Sequence, residues 1–261
     1  MSLSDPPLTY ELLRLAAVLC LLVMLAATLG RWLGRRRLRQ TGADSIDGTG
    51  TLDAALFGMF GLLLAFTFNS AIDRFAERRA LITAEANAIG TAWLRVDLLP
   101  AEHQPRLRQL YRDYLEARID ARQLVRREDL VPLQRVQQQI WQATVAALAD
   151  HPGPPITGVV LDPVNEFVDL STERWVAART HPPGIVFLLL LVLAMVCGLL
   201  AGYGTAVAQR PYRLHVGLFA GACAVVVYVI LDVEFPRAGL IRVDSIDEVL
   251  LDLQQELEAT R

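Results

Sequence analysis

Two polar runs border long apolar segments and hold the side chains best placed for chemistry. The first is Asn69-Ser-Ala-Ile-Asp73-Arg74-Phe-Ala-Glu77-Arg78-Arg79, and the second is Asp232-Val-Glu234-Phe-Pro236-Arg237. Charges at the depth where a helix leaves hydrocarbon are costly unless paired or hydrated, which marks them for function. Asp73, Glu77, Asp232 and Glu234 have the right types to pair with Arg74, Arg78 and Arg237 across two helices. Such a cluster makes either a salt-bridge collar that reaches to water and sets helix depth, or an ion-selective vestibule. Ahead of the first run lie Phe57, Phe60, Phe66 and Phe68. If several subunits presented this segment to a shared axis, Phe60, Phe66 and Asn69 would line it. The rings would then form a hydrophobic constriction that closes by dewetting.

Other chemistries find no residues to carry them. All 25 basic residues are arginine. With no lysine, a phosphate-binding loop, a Schiff base and a kinase lysine are excluded. His103, His151, His181 and His215 are scattered, without the spacing of metal ligands. Cys20, Cys197 and Cys223 all fall inside apolar segments, where thiols pack as small apolar groups rather than as a zinc site or a disulfide framework. No G-x-S-x-G occurs, and Gly48-Thr-Gly50 is too short for a nucleotide fingerprint. A formal net charge of −3 gives no case for nucleic acid. The expectation is a non-enzyme with no metal and no cofactor.

The elements that must position the polar runs are four apolar segments: 10–29, 54–71, 185–208 and 216–231. A helix needs about 20 apolar residues to cross a bilayer, so each is long enough or nearly so. An apolar content of 53% agrees with a membrane protein and not with a soluble domain. The first segment is followed, not preceded, by arginines (Arg31, Arg35, Arg36, Arg37, Arg39), so it reads as a retained anchor and not a cleaved signal. The second has no proline from 52 to 98, which predicts one helix running out of the membrane near Asn69–Asp73 as far as Leu99-Pro100. Amphipathic helices follow at about 101–127, 130–149 and from Asp162-Pro163, where proline suits a first helical position. Glu85 and Asn87 are expected as polar contacts inside this helical region. Ser245-Ile-Asp-Glu248 matches a capping box, and Ile246, Val249, Leu250, Leu253 and Leu257 form the apolar stripe of a tail helix. That stripe either packs on the bundle or lies at the interface.

The fold class is therefore an all-α integral membrane protein: four transmembrane helices in two hairpins, with an extramembrane antiparallel helical bundle between spans two and three. The divisions are 1–71 (first hairpin), 72–184 (bundle, continuous with spans two and three), 185–234 (second hairpin) and 235–261 (tail helix). Small residues four apart, Ala194, Gly198 and Gly202 in span three, Gly217 and Gly221 in span four, and Gly61 and Ala65 in span two, suit close helix approach within or between subunits. Arginines in the short loops, with Arg210 and Arg213 beside the first cluster, place those loops in the cytoplasm. Both termini and 72–184 then lie outside an inner cell membrane, although Arg74, Arg78, Arg79, Arg174, Arg179, Arg237 and Arg242 stand on the opposite side.

Several motifs carry a resemblance: Phe57-Gly-Met-Phe-Gly-Leu-Leu-Leu-Ala-Phe66-Thr-Phe-Asn69, then Asp73-Arg74-Phe75 and Glu77-Arg78-Arg79, then Glu85-Ala-Asn87-Ala-Ile-Gly90-Thr91 and Leu98-Leu-Pro100. Leu231-Asp232, Phe235-Pro236 and Gly239-Leu-Ile-Arg242-Val complete them. Together they resemble bacterial membrane proteins with a bestrophin-like domain, a family of uncharacterised function, over nearly the whole chain. Bestrophins proper are pentameric anion channels with aromatic residues narrowing the pore on span two. The resemblance thus implies a homo-oligomeric ion (anion) channel. It also implies a cytoplasmic bundle, opposite to the arginine rule. The other reading is a membrane-anchored scaffold or sensor whose bundle or tail binds a protein partner.

Overall fold

The computed structural model describes residues 8–41, 50–120, 130–149, 154–206, 213–235 and 244–259. Its regular structure is helical throughout these residues: α1 (Leu8–Thr41), α2 (Gly50–Arg95) with a 3-10 turn (Val96–Leu98), α3 (Gln104–Asp120), α4 (Val131–Ala149), α5 (Pro154–Arg179), α6 (Gly184–Gly204), α7 (Arg213–Glu234) and α8 (Asp244–Ala259). Among the described residues, four helical stretches are long and apolar enough to cross a membrane: Tyr10–Gln40, Gly50–Leu98, Ile156–Gly204 and Leu214–Glu234. The all-α expectation with four spans holds. The chain divides into two compact units, Met1–Phe75 with His181–Arg242, and Ala76–Thr180 with Val243–Arg261.

In the first unit α1 packs against α6 and α7. The approach of α1 to α6 is set by glycine. A Cβ on Gly30 would lie 1.9 Å from the Leu199 carbonyl oxygen, and one on Gly202 would lie 1.9 Å from that of Ala27. Without side chains there, the two backbones come into direct contact, which is how helices gain packing energy in lipid. The small residues of span three thus serve packing within the subunit. The glycines of spans two and four do not, since nothing lies within 4 Å of a Cβ built on Gly58, Gly61, Gly217 or Gly221. Leu19, Val23, Phe60, Leu193, Cys197 and Cys223 fill the core of this unit. The arginines after span one are helical, not a loop, because α1 runs on to Thr41. Arginine is a good helix former and favours the negative end of the helix dipole.

The second unit is held by rings. Trp93, Tyr111, Phe167 and Tyr114 meet in sequence at centroid distances of 6.3, 6.0 and 5.1 Å. All four are buried. The tail stripe is absorbed here: Leu250 and Leu257 join this core, Val249 and Leu253 pack at its edge, and Arg112 donates to the Leu257 carbonyl. The side chain of Ser245, and with it the capping box, lies outside the described residues, as do residues 121–127 of the helix expected to reach Arg127.

One expectation is corrected. The helix expected to start at Asp162-Pro163 starts instead at Pro154, so Pro163 lies inside it. The first-position proline is Pro154 itself. An interior proline has no N–H for the carbonyl four residues back, here Val159. Arg95 donates to that Val159 carbonyl.

Candidate functional site

Glu234, at the last position of α7, is the centre of the polar cluster in the first unit. It is fully buried, and each of its carboxylate oxygens has a cationic or ring nitrogen. Oε2 accepts from Arg74 Nε at 2.9 Å and from Nη2 at 2.7 Å. Oε1 lies 2.9 Å from Nδ1 of His181. For that contact to be a hydrogen bond, Nδ1 must carry the proton, as in one neutral tautomer or in the imidazolium. The ring of His181 lies on that of Phe235, with centroids 4.6 Å apart. Pro182 and Pro183 follow it directly, and α6 begins at Gly184. This places the imidazole at the entry of the third span, on the residue before Pro182, where the proline ring disfavours helical backbone.

The pairing of Arg74 with Glu234 is the cross-helix ion pair expected between α2 and α7. Asp232 is buried as well, at 2% exposure. Asp73 is exposed and takes a hydrogen bond from Asn69 Nδ2 at 2.9 Å, one turn earlier on α2. Glu77 and Arg78 belong to the second unit. Glu77 is exposed, whereas Arg78 is buried and caps the carboxyl end of α5, donating to the carbonyls of Ala177 and Thr180, each at 3.0 Å. Those carbonyls are among the acceptors that a helix end leaves without partners. Arg237 lies outside the described residues. Sequence reasoning missed His181 as a partner of Glu234; its only signal was an ionisable ring immediately before an apolar span.

The three residues named as candidate pore lining do not share a face. Phe60 is buried in the core of the first unit, whereas Phe66 and Asn69 are exposed. Six residues at 3.6 per turn set Phe60 and Phe66 roughly 120° apart around α2, and the side that buries Phe60 leaves Phe66 exposed. The outward stripe of α2 is Gly58, Leu62, Phe66, Asn69 and Asp73, all exposed and spaced by four, four, three and four. It is apolar as far as Phe66 and polar from Asn69 on.

A second polar centre lies within the other unit. Glu85 is fully buried and takes a hydrogen bond from Tyr114 at 2.7 Å. It also pairs with Arg118 at 3.0 Å and with Arg174. Burial alone would push this carboxyl up. The two guanidinium charges and the hydrogen bonds from Tyr114 and Arg174 outweigh that and hold it below the usual carboxylate range. Asn87, expected beside it, is exposed. Among the described residues no group of three histidines, cysteines or acids is placed to hold a metal ion.

The profile of the Bestrophin-like domain matches residues 16–246. The crystal structure of a bacterial Bestrophin homolog from Klebsiella pneumoniae superposes with a TM-score of 0.67 at 17% identity, covering 92% of this chain and 98% of that chain. A single-substitution variant of a bacterial Bestrophin homolog from the same organism gives 0.70 at 16% identity, covering 93% and 99%. These likenesses are of fold. The search of curated proteins gave no match.

Proposed function

The chain belongs to the family of the Bestrophin-like domain, and from that premise we propose that it is a homo-oligomeric ion channel of the inner cell membrane whose conduction path follows α2. The observation that carries this reading is the outward stripe of α2. Nothing lies within 4 Å of a Cβ built on Gly58 or Gly61, and Phe66 is 62% exposed. Copies of α2 around an axis would set Leu62 and Phe66 as an apolar constriction and Asn69 with Asp73 as its polar mouth. Apolar rings of this kind gate by dewetting. Phe60, turned inward, supports the wall and does not line it. Arg74, neutralised by buried Glu234, holds the mouth in place.

The resemblance implies anions. A ring of Asp73 carboxylates works the other way, since acidic rings favour cations. We therefore read the path as cation-preferring. The scaffold alternative loses its best surface, because the apolar stripe of α8 is already occupied by the core of the second unit.

The arginine-rich end of α1 supports an orientation with that end in the cytoplasm and the 72–184 region outside. A carboxyl-terminal alkaline phosphatase fusion would be active in this orientation and silent in the reverse one.

Reconstitution in liposomes tests the channel. Ion flux is expected, and Asp73→Asn should move the reversal potential away from cations. Folded protein that is monomeric in nanodiscs and passes no ions would overturn the reading.

A further inference from the structure

The outward face of α1 is graded along its length. Val18, Leu21, Leu25 and Leu29 are exposed large apolar residues, followed by exposed Trp32 and then Arg35, Arg36 and Arg39, also exposed. At 3.6 residues per turn all of these fall within a sector of roughly 120°. Gly30 and Gly34, which meet α6, lie on the other side of the helix. The stripe therefore faces away from the helix that α1 packs against most closely.

Aromatic residues fix its depth. Exposed Tyr10 and Trp32 bracket the apolar stretch of α1, as interfacial aromatics do. They are separated by about 33 Å of helix, close to the thickness of a hydrocarbon core. Leu21 to Trp32 covers about 16 Å, the depth of one leaflet. Arg35 and Arg36 then stand about 5 Å beyond Trp32, at the level of lipid phosphates. The Arg36 guanidinium sits over the Trp32 ring, 5.5 Å from its centroid. This contact holds one cation at that level.

The local charge is one-sided. The only acid on α1 is Glu11, at its opposite end. Between residues 31 and 53 five arginines face three aspartates, Asp44, Asp47 and Asp53, all of them beyond the arginines in the chain. The end of α6 beside Gly34, Tyr203 to Ala206, is uncharged.

We propose that this stripe is a binding site for an anionic phospholipid. Arg35 and Arg36 hold its phosphate, Arg39 reaches the headgroup beyond, and the acyl chains lie along Leu21, Leu25 and Leu29. Guanidinium forks match phosphate oxygens geometrically, and basic residues at a membrane surface attract anionic lipid. The site does not depend on whether ions pass along α2.

The test is native mass spectrometry of the full chain, extracted in mild detergent and supplied with equal phosphatidylglycerol and phosphatidylcholine. Wild type is expected to retain phosphatidylglycerol by at least about fivefold over phosphatidylcholine, the scale set by one surface arginine. The Arg35→Gln, Arg36→Gln, Arg39→Gln triple variant should bring that ratio close to one. The matching triple lysine variant, which keeps the charge, should retain most of the preference and guards against misfolding as the cause. Trp32→Ala should lower retention of both lipids. Equal retention by wild type, or a ratio unmoved by the glutamines, would overturn the proposal. So would thermal stabilisation by inorganic phosphate equal to that by phosphatidylglycerol, since the site would then take a free anion.

Discussion

Arg95 donates to the carbonyl of Val159, the one acceptor in α5 that Pro163 deprives of its helical donor. A break in one helix is thus mended by a side chain from the end of another. Arg95→Ala should lower the stability of the helical bundle by about 1 kcal/mol, the usual net worth of a hydrogen bond. In a Pro163→Ala background the restored N–H takes over the carbonyl, so the same substitution should cost little. A double-mutant cycle by thermal unfolding reads the coupling directly. Equal costs in the two backgrounds would remove the proposed repair.

The two arginines around Glu85 predict how the bundle responds to acid. Its folded-state pKa is held below its ordinary value of 4.5. A depressed carboxyl contributes stability that is fully present above the unfolded value and is lost as pH falls through the folded one. Melting temperature should therefore be insensitive to this group at neutral pH and fall below about pH 4.5. In Glu85→Gln that component of the acid slope should disappear. The variant itself should be less stable by about 3 kcal/mol, because Arg118 and Arg174 stay buried without their carboxylate.

Glu234 makes a related prediction in the first unit. Removing it strands Arg74, whereas removing Arg74 takes the guanidinium away from a fully buried carboxylate. Each single alanine variant should cost about 3 kcal/mol in a detergent unfolding assay. The double variant should cost clearly less than the two together. Strict additivity would show that the pair is not coupled.

Glycines on different helices should respond in opposite ways. Gly202→Val drives a side chain into the backbone of Ala27 and should destabilise the first unit by about 3 kcal/mol or prevent its assembly. A Cβ on Gly221 meets nothing within 4 Å, so Gly221→Val should be tolerated in the single chain. Unfolding in mixed micelles separates the two.

Much of this was legible in the residues. The four spans, the proline-free run of α2 and the tail stripe follow from apolar length, a missing breaker and a 3.6 period. The facing of Phe60 and Phe66 does not. A helix that is apolar all round carries no polar face to say which side is inside, so Phe60 and Phe66 look alike in sequence. Pro163 misled for a related reason: its rule concerns a local N–H, while its tolerance depends on Arg95, far away in the chain. Arg78 and His181 are of the same kind. Their partners, the end of α5 and the end of α7, exist only once distant segments have met.

The position of α8 has a consequence for how the molecule is made. Leu250 and Leu257 are core residues of the second unit, yet they follow α6 and α7 in the chain and are made after them. Until then the aromatic centre of Trp93, Tyr111 and Phe167 waits with one wall missing, through the synthesis of α6 and α7. A nascent chain stalled or clipped short of α8 would carry an open apolar cleft visible to chaperones and proteases. The helix acts as a closing wall: only a chain extended through α8 can hide that surface.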